Sequence, residues 1–479
     1  MNIGLDIGTT LTKAVVFGDR GEVLASRSAP TQLLRPAPGE FEVDLEQLTL
    51  AVLSLLRDLA SPEIDLIALT GQGDGLWLLD AHARAVRPAL TWLDGRGAAA
   101  CDGWAASGVW DAVFRRTRNA PFPGAGAALL SALDATEPGL LEAATTATQC
   151  QHALFERLTG VRTATPSCAT LPVLDPVAGD YDDETIRLLK LWHRRDLLPP
   201  ISPTPLVRAP LADELADDLN LPRGTHVATG PYDLPAAALG IGTLAPGDGV
   251  LILGTTLACM VLEESVEPTD EPVGLTIRAA DGNGLLRAMP AMVGTACLDW
   301  AMRLVGCRFD DLGRLLSESP PSARGVSALP FLAPSGERAP FADPAARAEL
   351  TGLSLETTAA DIVRAVCEAL AFAARHCFAG AGLRGEVFVC GGGAASLELV
   401  QLFADVMERS LRITAIEEPA AFGAVQAATS TRRQAGRSGR LVKPRAGRYS
   451  GHVFDDYLYR VKVAREHRWH GRVDRGSGH

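Results

Sequence analysis

The sequence predicts an α/β protein in which two similar halves follow one another, and three observations lead to that prediction. Segments typical of strands alternate with segments typical of helices along the 479 residues. The chain is 47% hydrophobic and 21% charged, as soluble globular proteins are, and its length suits two or three domains. A Gly-Thr-Thr-Leu turn flanked by apolar runs occurs at 8–11 and again at 254–257, 246 residues later.

The elements of the first half follow from residue periodicity. Alternating residues over 2–28 predict a three-stranded meander. The amphipathic stretch Glu46–Leu59 predicts a helix, and IDLIALTGQG (64–73) predicts a strand that ends in a glycine turn. Leu129–Leu158 is rich in Ala and Leu and predicts mostly helix, with a break at the Glu-Pro-Gly of 137–139.

The second half begins after a predicted loop and helix, TGPYDLPAAALG (229–240). We place the domain boundary shortly after Leu239 and expect domains at 1–239, 240–430 and 431–479. Beyond the boundary the sequence predicts a hairpin, a long helix, a strand that runs into three glycines, and a further helix, at Gly249–Leu262, Ala359–Gly380, 385–393 and Leu397–Met407.

Bulk properties argue against several classes of function. A net charge of −12 and a pI near 5.3 argue against nucleic acid as the main partner. No run of 18 uninterrupted apolar residues occurs, so we expect no membrane span, and the strand-like start MNIGLDIG does not resemble a secretory signal. The nine cysteines are scattered without a CxxC motif, which predicts buried free thiols in a reducing cytoplasm.

The last segment differs in composition from the rest of the chain. Residues 432–479 contain 13 Lys and Arg against 4 Asp and Glu, and the segment is rich in glycine. Such a basic terminus predicts a solvated tail. The alternative is that its middle part, FDDYLYRVKVAREHRW (454–469), forms a helix docked on the body of the protein.

The duplicated turn has a physical interpretation as a phosphate cradle. Small residues expose backbone N–H groups and threonine hydroxyls add donors, so such a loop can bind phosphate without positive side chains. Two loops from two halves could grip one polyphosphate, although a single turn of this kind also serves strands that only need to reverse. Only the first copy is accompanied by Asp6 and Lys13.

Several motifs in the right order resemble those of the FGGY carbohydrate kinases, from residue 1 to about residue 428. DIGTTLTK (6–13) is similar to the first phosphate loop of that family, and LGTTL (253–257) is similar to the second. ALTGQGDGLWLLD (68–80) and RPALTWLDGR (87–96) resemble the segment that faces the substrate.

The resemblance continues through the second half of the chain. TGPYDLPAAALGIG (229–242) resembles the loop that carries the catalytic base. SGERAP (335–340) and GLSLETTAADIVRAVCEA (352–369) are similar to further family motifs. VCGGGAASLELVQLFADV (389–406) resembles the adenosine-binding strand, turn and helix.

The resemblance implies two actin-like lobes, each with a ribonuclease-H-like core of mixed sheet flanked by helices, that close on ATP–Mg²⁺ and a small sugar or polyol. The turn would then occur twice because the lobe occurs twice. It further implies a cytoplasmic kinase without nucleic-acid or membrane partners, for which a homodimer is one possible assembly.

Phosphoryl transfer needs positioning, charge neutralisation and removal of a proton from the attacking hydroxyl. By resemblance, Asp233 would be the general base and a metal ligand, Asp6 would hold Mg²⁺ through water, and Lys13 would contact a phosphate or steady its loop. The alternatives are a helix-capping Asp233, a turn-forming Asp6 and an exposed strand lysine. The nucleotide contacts implied are Gly8, Thr9, Thr10, Lys13, Gly254, Thr255, Thr256, Gly391, Gly392, Gly393 and Ser396.

The substrate side of the resemblance points to a polyol. Xylulose kinases of the family have Met-His after Gly-Gln and glycerol kinases have Arg-Glu, whereas this chain has Gly73 and Asp74. GQGDGLWL and YDDETIRLLKLWHRRDLLPPI are more similar to erythritol-type kinases. The substrate contacts implied are Gln72, Gly73, Asp74, Trp77 and Asp233, with a buried strand tryptophan as the alternative for Trp77. A ketopentose kinase and a sugar-sensing pseudokinase or assembly protein are the alternative functions.

Overall fold

The computed structural model describes residues 1–18, 21–167, 173–242, 244–269, 271–429, 439–449 and 451–469. The chain divides into two compact units, the first formed by Met1–Leu244, Glu264–Leu286 and Ile416–Arg437 and the second by Ala245–Glu263, Arg287–Ala415 and Ser438–His479. Two segments therefore belong to the first unit although they follow the second hairpin in sequence. The boundary expected after Leu239 stays a prediction, since the units are not continuous stretches of the chain.

The strands are numbered in chain order. They are β1 Asn2–Ile7, β2 Leu11–Phe17, β3 Val23–Pro30, β4 Leu33–Leu34, β5 Glu42–Val43, β6 Leu66–Gly71, β7 Trp77–Leu79, β8 Ala89–Leu90, β9 Thr146–Thr148, β10 Leu174–Asp175, β11 Asp180–Tyr181, β12 Val207–Pro210, β13 His226–Thr229, β14 Gly249–Leu253, β15 Leu257–Glu263, β16 Leu275–Arg278, β17 Leu285–Pro290, β18 Ser327–Leu329, β19 Glu349–Thr351, β20 Val387–Cys390, β21 Leu411–Ile413 and β22 Arg440–Val442.

The α-helices alternate with these strands, so the α/β class is confirmed. They are α1 Leu45–Asp58, α2 Ala98–Ala106, α3 Val109–Thr117, α4 Gly126–Thr136, α5 Pro138–Ala143, α6 Cys150–Thr159, α7 Asp183–Leu188, α8 Asp213–Leu219, α9 Asp233–Ile241, α10 Thr295–Leu304, α11 Leu312–Glu318, α12 Ala359–Ala381, α13 Leu397–Met407, α14 Pro419–Thr429 and α15 Gly451–Val463. Shorter helical turns lie at Trp192–Leu197, Phe309–Asp311, Pro321–Gly325, Gly392–Ala395 and Ala464–Trp469.

The first unit is built on a mixed sheet with the strand order β12-β13-β6-β1-β2-β3. The predicted meander is confirmed, because β2 pairs antiparallel with both β1 and β3. Strands β1, β6 and β13 are parallel to one another. Apolar side chains of β1 pack in one cluster with those of α1, among them Leu5, Leu48 and Val52. The carboxyl ends of the three parallel strands therefore meet at one edge of the sheet, where α/β proteins usually bind ligands.

The second unit repeats this arrangement. Within it the strand order is β17-β15-β14-β20-β21-β22, and β14 and β15 form the predicted hairpin. Strands β14, β20 and β21 are parallel, so the turn after β14 and the glycines after β20 lie side by side at one edge. Helix α12 is buried along most of its length, and its first turn is held by a capping box between Thr358 and Asp361.

Two helices of the first unit cross at glycine. A Cβ atom placed on Gly423 of α14 would lie 2.7 Å from the carbonyl carbon of Ala236 in α9, and closer still to its oxygen. A Cβ atom on Gly240 of α9 would lie 2.8 Å from the carbonyl carbon of Pro419. Helices α9 and α14 can approach this closely only because both residues lack a side chain.

The prediction for Leu129–Leu158 is confirmed for the most part by α4, α5 and α6, but a strand interrupts it. Strand β9 consists of Thr146, Ala147 and Thr148 and pairs antiparallel with β7. The β-branched threonines favour an extended backbone, and their pairing partner is about 70 residues away in sequence. The sequence did not predict this strand because the Ala- and Leu-rich residues on both sides of it favour helix.

The prediction of a solvated tail is wrong for the part of the basic segment that the structure describes. Tyr457 of α15 stacks on Phe372 of α12 with ring centroids 5.6 Å apart, and Trp469 stacks on Phe341. The Tyr449 hydroxyl donates a 2.6 Å hydrogen bond to the buried carboxylate of Glu368. The alternative of a docked helix is therefore confirmed for α15, while residues 430–438, 450 and 470–479 lie outside the described residues.

The eight described cysteines are free, as predicted. Seven are buried and Cys307 is half-buried, while Cys168 lies outside the described residues. Among the described residues, none of the helices combines the length and the apolar character that crossing a bilayer requires.

Candidate active site

Three predicted site segments follow the three parallel strands of the first unit. The Gly8–Thr10 turn follows β1, Gln72–Asp74 follows β6, and the loop to Asp233 follows β13. Because these strands are neighbours and parallel, their carboxyl ends bring together segments from three distant parts of the sequence.

The first turn is tight and held from several sides. The Gly8 N–H donates to the Leu11 carbonyl at 3.1 Å, and the Thr31 hydroxyl donates to the Gly8 carbonyl at 2.9 Å. A Cβ atom on Gly8 would lie 2.8 Å from the Leu11 oxygen, so this position requires glycine. The turn presents small residues and hydroxyls, as a phosphate loop requires.

The hydroxyl of Thr9 connects this turn to the next strand end. It donates to Oε1 of Gln72 at 3.3 Å and accepts from Nε1 of Trp92 at 2.9 Å. The buried Nε2 of Gln72 has no hydrogen-bond partner within the described residues, so it is available to a ligand. Trp92 was not predicted as a site residue, although it lies in the motif RPALTWLDGR.

Asp6 and Lys13 are cross-strand partners of β1 and β2, and a third charge joins them. The Lys13 ammonium donates to both carboxylate oxygens of Glu418, at 2.8 and 3.0 Å. Lys13 is therefore a paired lysine and not simply an exposed strand residue. Burial, aided by Glu418 and opposed by Lys13, raises the pKa of Asp6 to about 6. No local sequence signal connects Glu418 with a lysine 405 residues earlier.

The segment after β6 has an unusual backbone. Asp74 is 5% exposed and adopts φ +56°, and Gly75 follows at φ +73°. A Cβ atom on Gly73 would lie 2.5 Å from Cε2 of the Tyr232 ring, so glycine is needed for Tyr232 to pack there. Trp77 is 1% exposed and lies within the hydrophobic core, which agrees with the second of the two alternatives for this residue.

Asp233 is the first residue of α9 and not its cap. The N-cap position belongs to Tyr232, which makes no side-chain capping bond. The preceding loop is held by the buried Thr70, whose hydroxyl donates to the Pro231 carbonyl at 2.9 Å. Burial raises the pKa of the Cys150 thiol well above its usual value, and the negative charges of Asp233 and Asp6 raise it further. Both carboxylates therefore lie near the first turn of α6.

The second unit presents the other predicted loop. Gly254, Thr255 and Thr256 turn between β14 and β15 and rest against the start of α10. The Thr295 N–H and hydroxyl both donate to the Gly254 carbonyl at 2.9 Å, and the Gly294 N–H donates to the Thr255 carbonyl at 2.8 Å. Gly294 and Thr295 were not predicted.

The glycines after β20 pack against the end of β14. Gly391 adopts φ +91°, and a Cβ atom there would lie 2.7 Å from the Leu253 oxygen. Gly392 and Gly393 begin a short helical turn. Ser396 caps α13, because its hydroxyl accepts the Leu399 N–H at 3.2 Å. The geometry therefore assigns Ser396 a helix-capping role and leaves its predicted nucleotide contact a prediction.

The first unit offers a magnesium ion few protein ligands, and this suits the coordination that Mg²⁺ prefers. Within the ranges that the structure describes, no group of three or more His, Cys, Asp or Glu residues is placed to hold a metal. Oδ1 of Asp6 is buried and accepts no hydrogen bond from the described residues. Mg²⁺ commonly takes one or two carboxylates and completes its shell with water and phosphate, so this site suits it.

Comparison with known proteins identifies the family. The N-terminal domain profile of the FGGY family of carbohydrate kinases matches residues 1–240, and its C-terminal domain profile matches residues 249–431. The chain belongs to the FGGY family of carbohydrate kinases. It is an enzyme of the phosphotransferase class and, like other sugar kinases of this family, uses ATP.

Individual FGGY relatives agree with this assignment. This FGGY kinase is 31% identical over 458 residues to an erythritol kinase of Brucella abortus, covering 89% of the chain and 86% of the relative. It is 31% identical over 381 residues to a xylulose kinase of Klebsiella pneumoniae, covering 78% and 77%. The fold is shared with the crystal structure of a ligand-bound xylulose kinase from Lactobacillus acidophilus, with a TM-score of 0.88, 21% identity and coverage of 97% and 98%.

Proposed function

We propose that this FGGY kinase transfers the γ-phosphoryl group of ATP to a hydroxyl of a small, erythritol-like polyol, with Asp233 as the general base. The observation that carries the proposal is the buried carboxyl group of Asp74 at the end of β6, beside the strand that leads to Asp233. A carboxylate can accept hydrogen bonds from two neighbouring hydroxyls. The likeness to a relative named erythritol kinase supports the same substrate class.

Asp233 accepts the proton of the attacking hydroxyl in this mechanism. Its position at the start of α9, after a loop anchored through Pro231, suits a carboxylate that must point in one direction. Asp74 holds substrate hydroxyls remote from the reacting one, and the Nε2 donor of Gln72 supplies a hydrogen bond to a substrate oxygen. Together these groups fix the substrate relative to the base.

The nucleotide is bound by backbone groups and hydroxyls. In the first unit, Thr9 and Thr10 supply phosphate donors, while Gly8, whose N–H closes the turn on the Leu11 carbonyl, lets the chain approach the phosphate closely. Lys13 adds a positive charge that Glu418 orients. Asp6 is the proposed ligand of Mg²⁺, and Asp233 a second one. Mg²⁺, when bound, neutralises charge on the phosphate oxygens.

In the second unit, the residues proposed to face the nucleotide are Gly254, Thr255, Thr256, Gly391, Gly392 and Gly393. Hydrogen bonds from Gly294 and Thr295 fix the carbonyls of Gly254 and Thr255, and the Gly254 N–H donates to the Thr256 carbonyl at 3.2 Å. The backbone N–H groups of such a turn can then serve phosphate oxygens. Glycine at 391 permits close approach of the chain to Leu253, which a side chain would prevent.

A ketopentose such as xylulose is the second candidate substrate. The specific observation in its favour is the 31% identity to the relative from Klebsiella pneumoniae named xylulose kinase. The two candidates are separated by assaying ADP release with a panel of C3 to C6 polyols and ketoses. The proposal expects the highest kcat/KM with a polyol, and a best substrate among the ketopentoses would contradict it.

Asp233→Asn tests the base. Loss of a general base lowers kcat by roughly 10²- to 10⁴-fold, and ATP binding should survive. Asp213→Asn is the matched control, since Asp213 is also the first residue of its helix but is exposed. Turnover by Asp233→Asn close to that of the wild type would contradict the role of Asp233.

Asp74 is tested by three variants assayed with erythritol and xylulose. Asp74→Asn tolerates the left-handed backbone but removes the charge, whereas Asp74→Ala also removes the acceptors. A hydrogen bond to a charged group contributes about 1.5–3 kcal/mol, so we expect kcat/KM for erythritol to fall roughly 10- to 150-fold in both. Asp74→His should harm erythritol more than xylulose. An equal loss on both substrates, with a lower melting temperature, would indicate that Asp74 only holds its turn.

A further inference from the structure

The loop that leads to Asp233 is held through two of its carbonyls. Thr70 donates to Pro231, and the Thr165 hydroxyl lies 3.0 Å from the Gly230 carbonyl oxygen. Both threonines are fully buried. Thr165 lies well outside the Gly-rich motifs, 65 residues before its carbonyl partner.

The direction of the hydrogen bonds around Thr165 follows from its single hydrogen atom. A carbonyl oxygen only accepts, so Thr165 donates to Gly230. With that hydrogen directed at Gly230, the Thr165 oxygen is the acceptor for Nε2 of His152, 3.3 Å away, and for the hydroxyl of Ser167, 3.2 Å away. This arrangement requires the His152 tautomer that carries its hydrogen on Nε2.

His152 is suited to a fixed and neutral role. It is 1% exposed, and burial lowers its pKa to about 3, so the imidazole stays neutral at all working pH values. It belongs to the first turn of α6, which also contains Cys150, the thiol whose pKa is raised by burial and by the charges of Asp233 and Asp6. The imidazole thus connects α6 with the loop that carries the base.

We propose that His152 and Thr165 are positioning residues for the base, and this inference depends on the proposed role of Asp233. The chain of bonds from His152 to Thr165 to the Gly230 carbonyl fixes the loop three residues before Asp233. Pro231 has a restricted φ angle and the Tyr232 ring packs over Gly73, so a shift at Gly230 is passed on to Asp233.

Isosteric variants test this inference. Thr165→Val keeps the volume but removes the hydroxyl, and Thr165→Ser restores it. A misplacement of about 1 Å can cost 10²-fold in rate, so Thr165→Val should lower kcat about 10- to 100-fold while KM for ATP and for the polyol changes less than about twofold. His152→Leu should lower kcat similarly, and His152→Gln, which can still donate from its amide, should recover most of it.

Thr117→Val is the matched control for loss of stability. Thr117 is also fully buried in the first unit, and its hydroxyl donates to the Val113 carbonyl at 3.0 Å. A merely structural role for Thr165 would give both valine variants a lower melting temperature with kcat unchanged. That result would overturn the inference.

A double variant separates positioning from other effects. If Thr165 acts through the base, Thr165→Val should reduce kcat of the wild type but not the residual kcat of Asp233→Asn. Independent, multiplicative losses would overturn the inference. An inactive Asp233→Asn beside a fully active Thr165→Val would overturn the positioning role alone, whereas an active Asp233→Asn would overturn the proposed base and this inference together.

Discussion

The close crossing of α9 and α14 at glycine predicts that a glycine-to-alanine substitution destabilises the protein at the crossing, whereas the same substitution in an open helix stabilises it. Gly423→Ala adds a methyl group whose carbon would lie 2.7 Å from the Ala236 carbonyl carbon, whereas ordinary contacts begin near 3.4 Å. The neighbour is backbone, which cannot rotate away. Because the Ala236 oxygen would be closer still, the two helices must separate by roughly 1.5 Å, or the methyl group remains overpacked.

The expected magnitude is the difference between two terms. Overpacking a well-filled contact costs about 1–3 kcal/mol, and sometimes more. Replacing glycine by alanine within a helix gains about 0.5–1 kcal/mol through helix propensity. The difference of these ranges is about 0–2.5 kcal/mol, and because the contact is with backbone we expect Gly423→Ala to destabilise the protein by a value in the upper half, about 1–2.5 kcal/mol. Because α9 begins at Asp233, we also expect kcat to fall.

The assay is thermal or denaturant unfolding beside the control Gly103→Ala. Gly103 lies inside α2, and a Cβ atom there would meet nothing within 4 Å, so only the propensity term applies and the control should be stabilised. Gly240→Ala, at the same crossing, should behave like Gly423→Ala. Equal stabilisation of Gly423→Ala and Gly103→Ala would refute the argument from close helix packing.

Three further predictions concern single side chains. Burial raises the pKa of Glu337 to about 7 from 4.5, so the folded state binds more protons than the unfolded state between these pH values. The free energy of unfolding therefore falls as pH rises through this range, by up to about 3 kcal/mol. Glu337→Gln should remove this pH dependence, and a melting temperature that changes equally in the wild type and in Glu337→Gln between pH 5 and pH 8 would contradict the prediction. Gly73→Ala should displace the Tyr232 ring and lower kcat/KM for the carbohydrate at least about tenfold, and unchanged kinetics would contradict this. Trp92→Phe removes the donor to Thr9 and should lower kcat/KM for ATP roughly 2- to 12-fold, the effect of one hydrogen bond, with ATP titration as the measurement.

Local periodicity was sufficient to predict much of the fold. The meander over 2–28, the hairpin after Gly249 and the helix Leu397–Met407 each have a pattern that is complete within the element itself. Strand β9 could not be predicted in this way, because three residues with Ala- and Leu-rich flanks carry little signal and their partner strand is distant. The docked α15 likewise depends on aromatic contacts with α12.

In the candidate site, too, only the features with a local sequence pattern were predictable. The loops around Gly8, Gly254 and Asp233 were predictable because small residues directly after a strand indicate a tight turn, and that pattern is complete within a few residues. Their supports were not predictable, since Glu418 lies 405 residues from Lys13 and Trp92 lies 83 residues from Thr9. Such pairs are selected by strand order and helix crossing, which no single window of sequence contains.

The composition of the first unit from three separate segments has a consequence for how the protein is made. Helix α14 belongs to this unit, and its Phe422 and Val425 pack in one apolar cluster with Phe17 and Leu66 of the sheet. A nascent chain that has been translated only to residue 415 has already completed β1, β2 and β6 but lacks the helix that covers this face. The amino-terminal unit therefore cannot finish folding in the order of synthesis, and its apolar sheet face stays accessible to chaperones, or to another nascent chain, until α14 emerges from the ribosome.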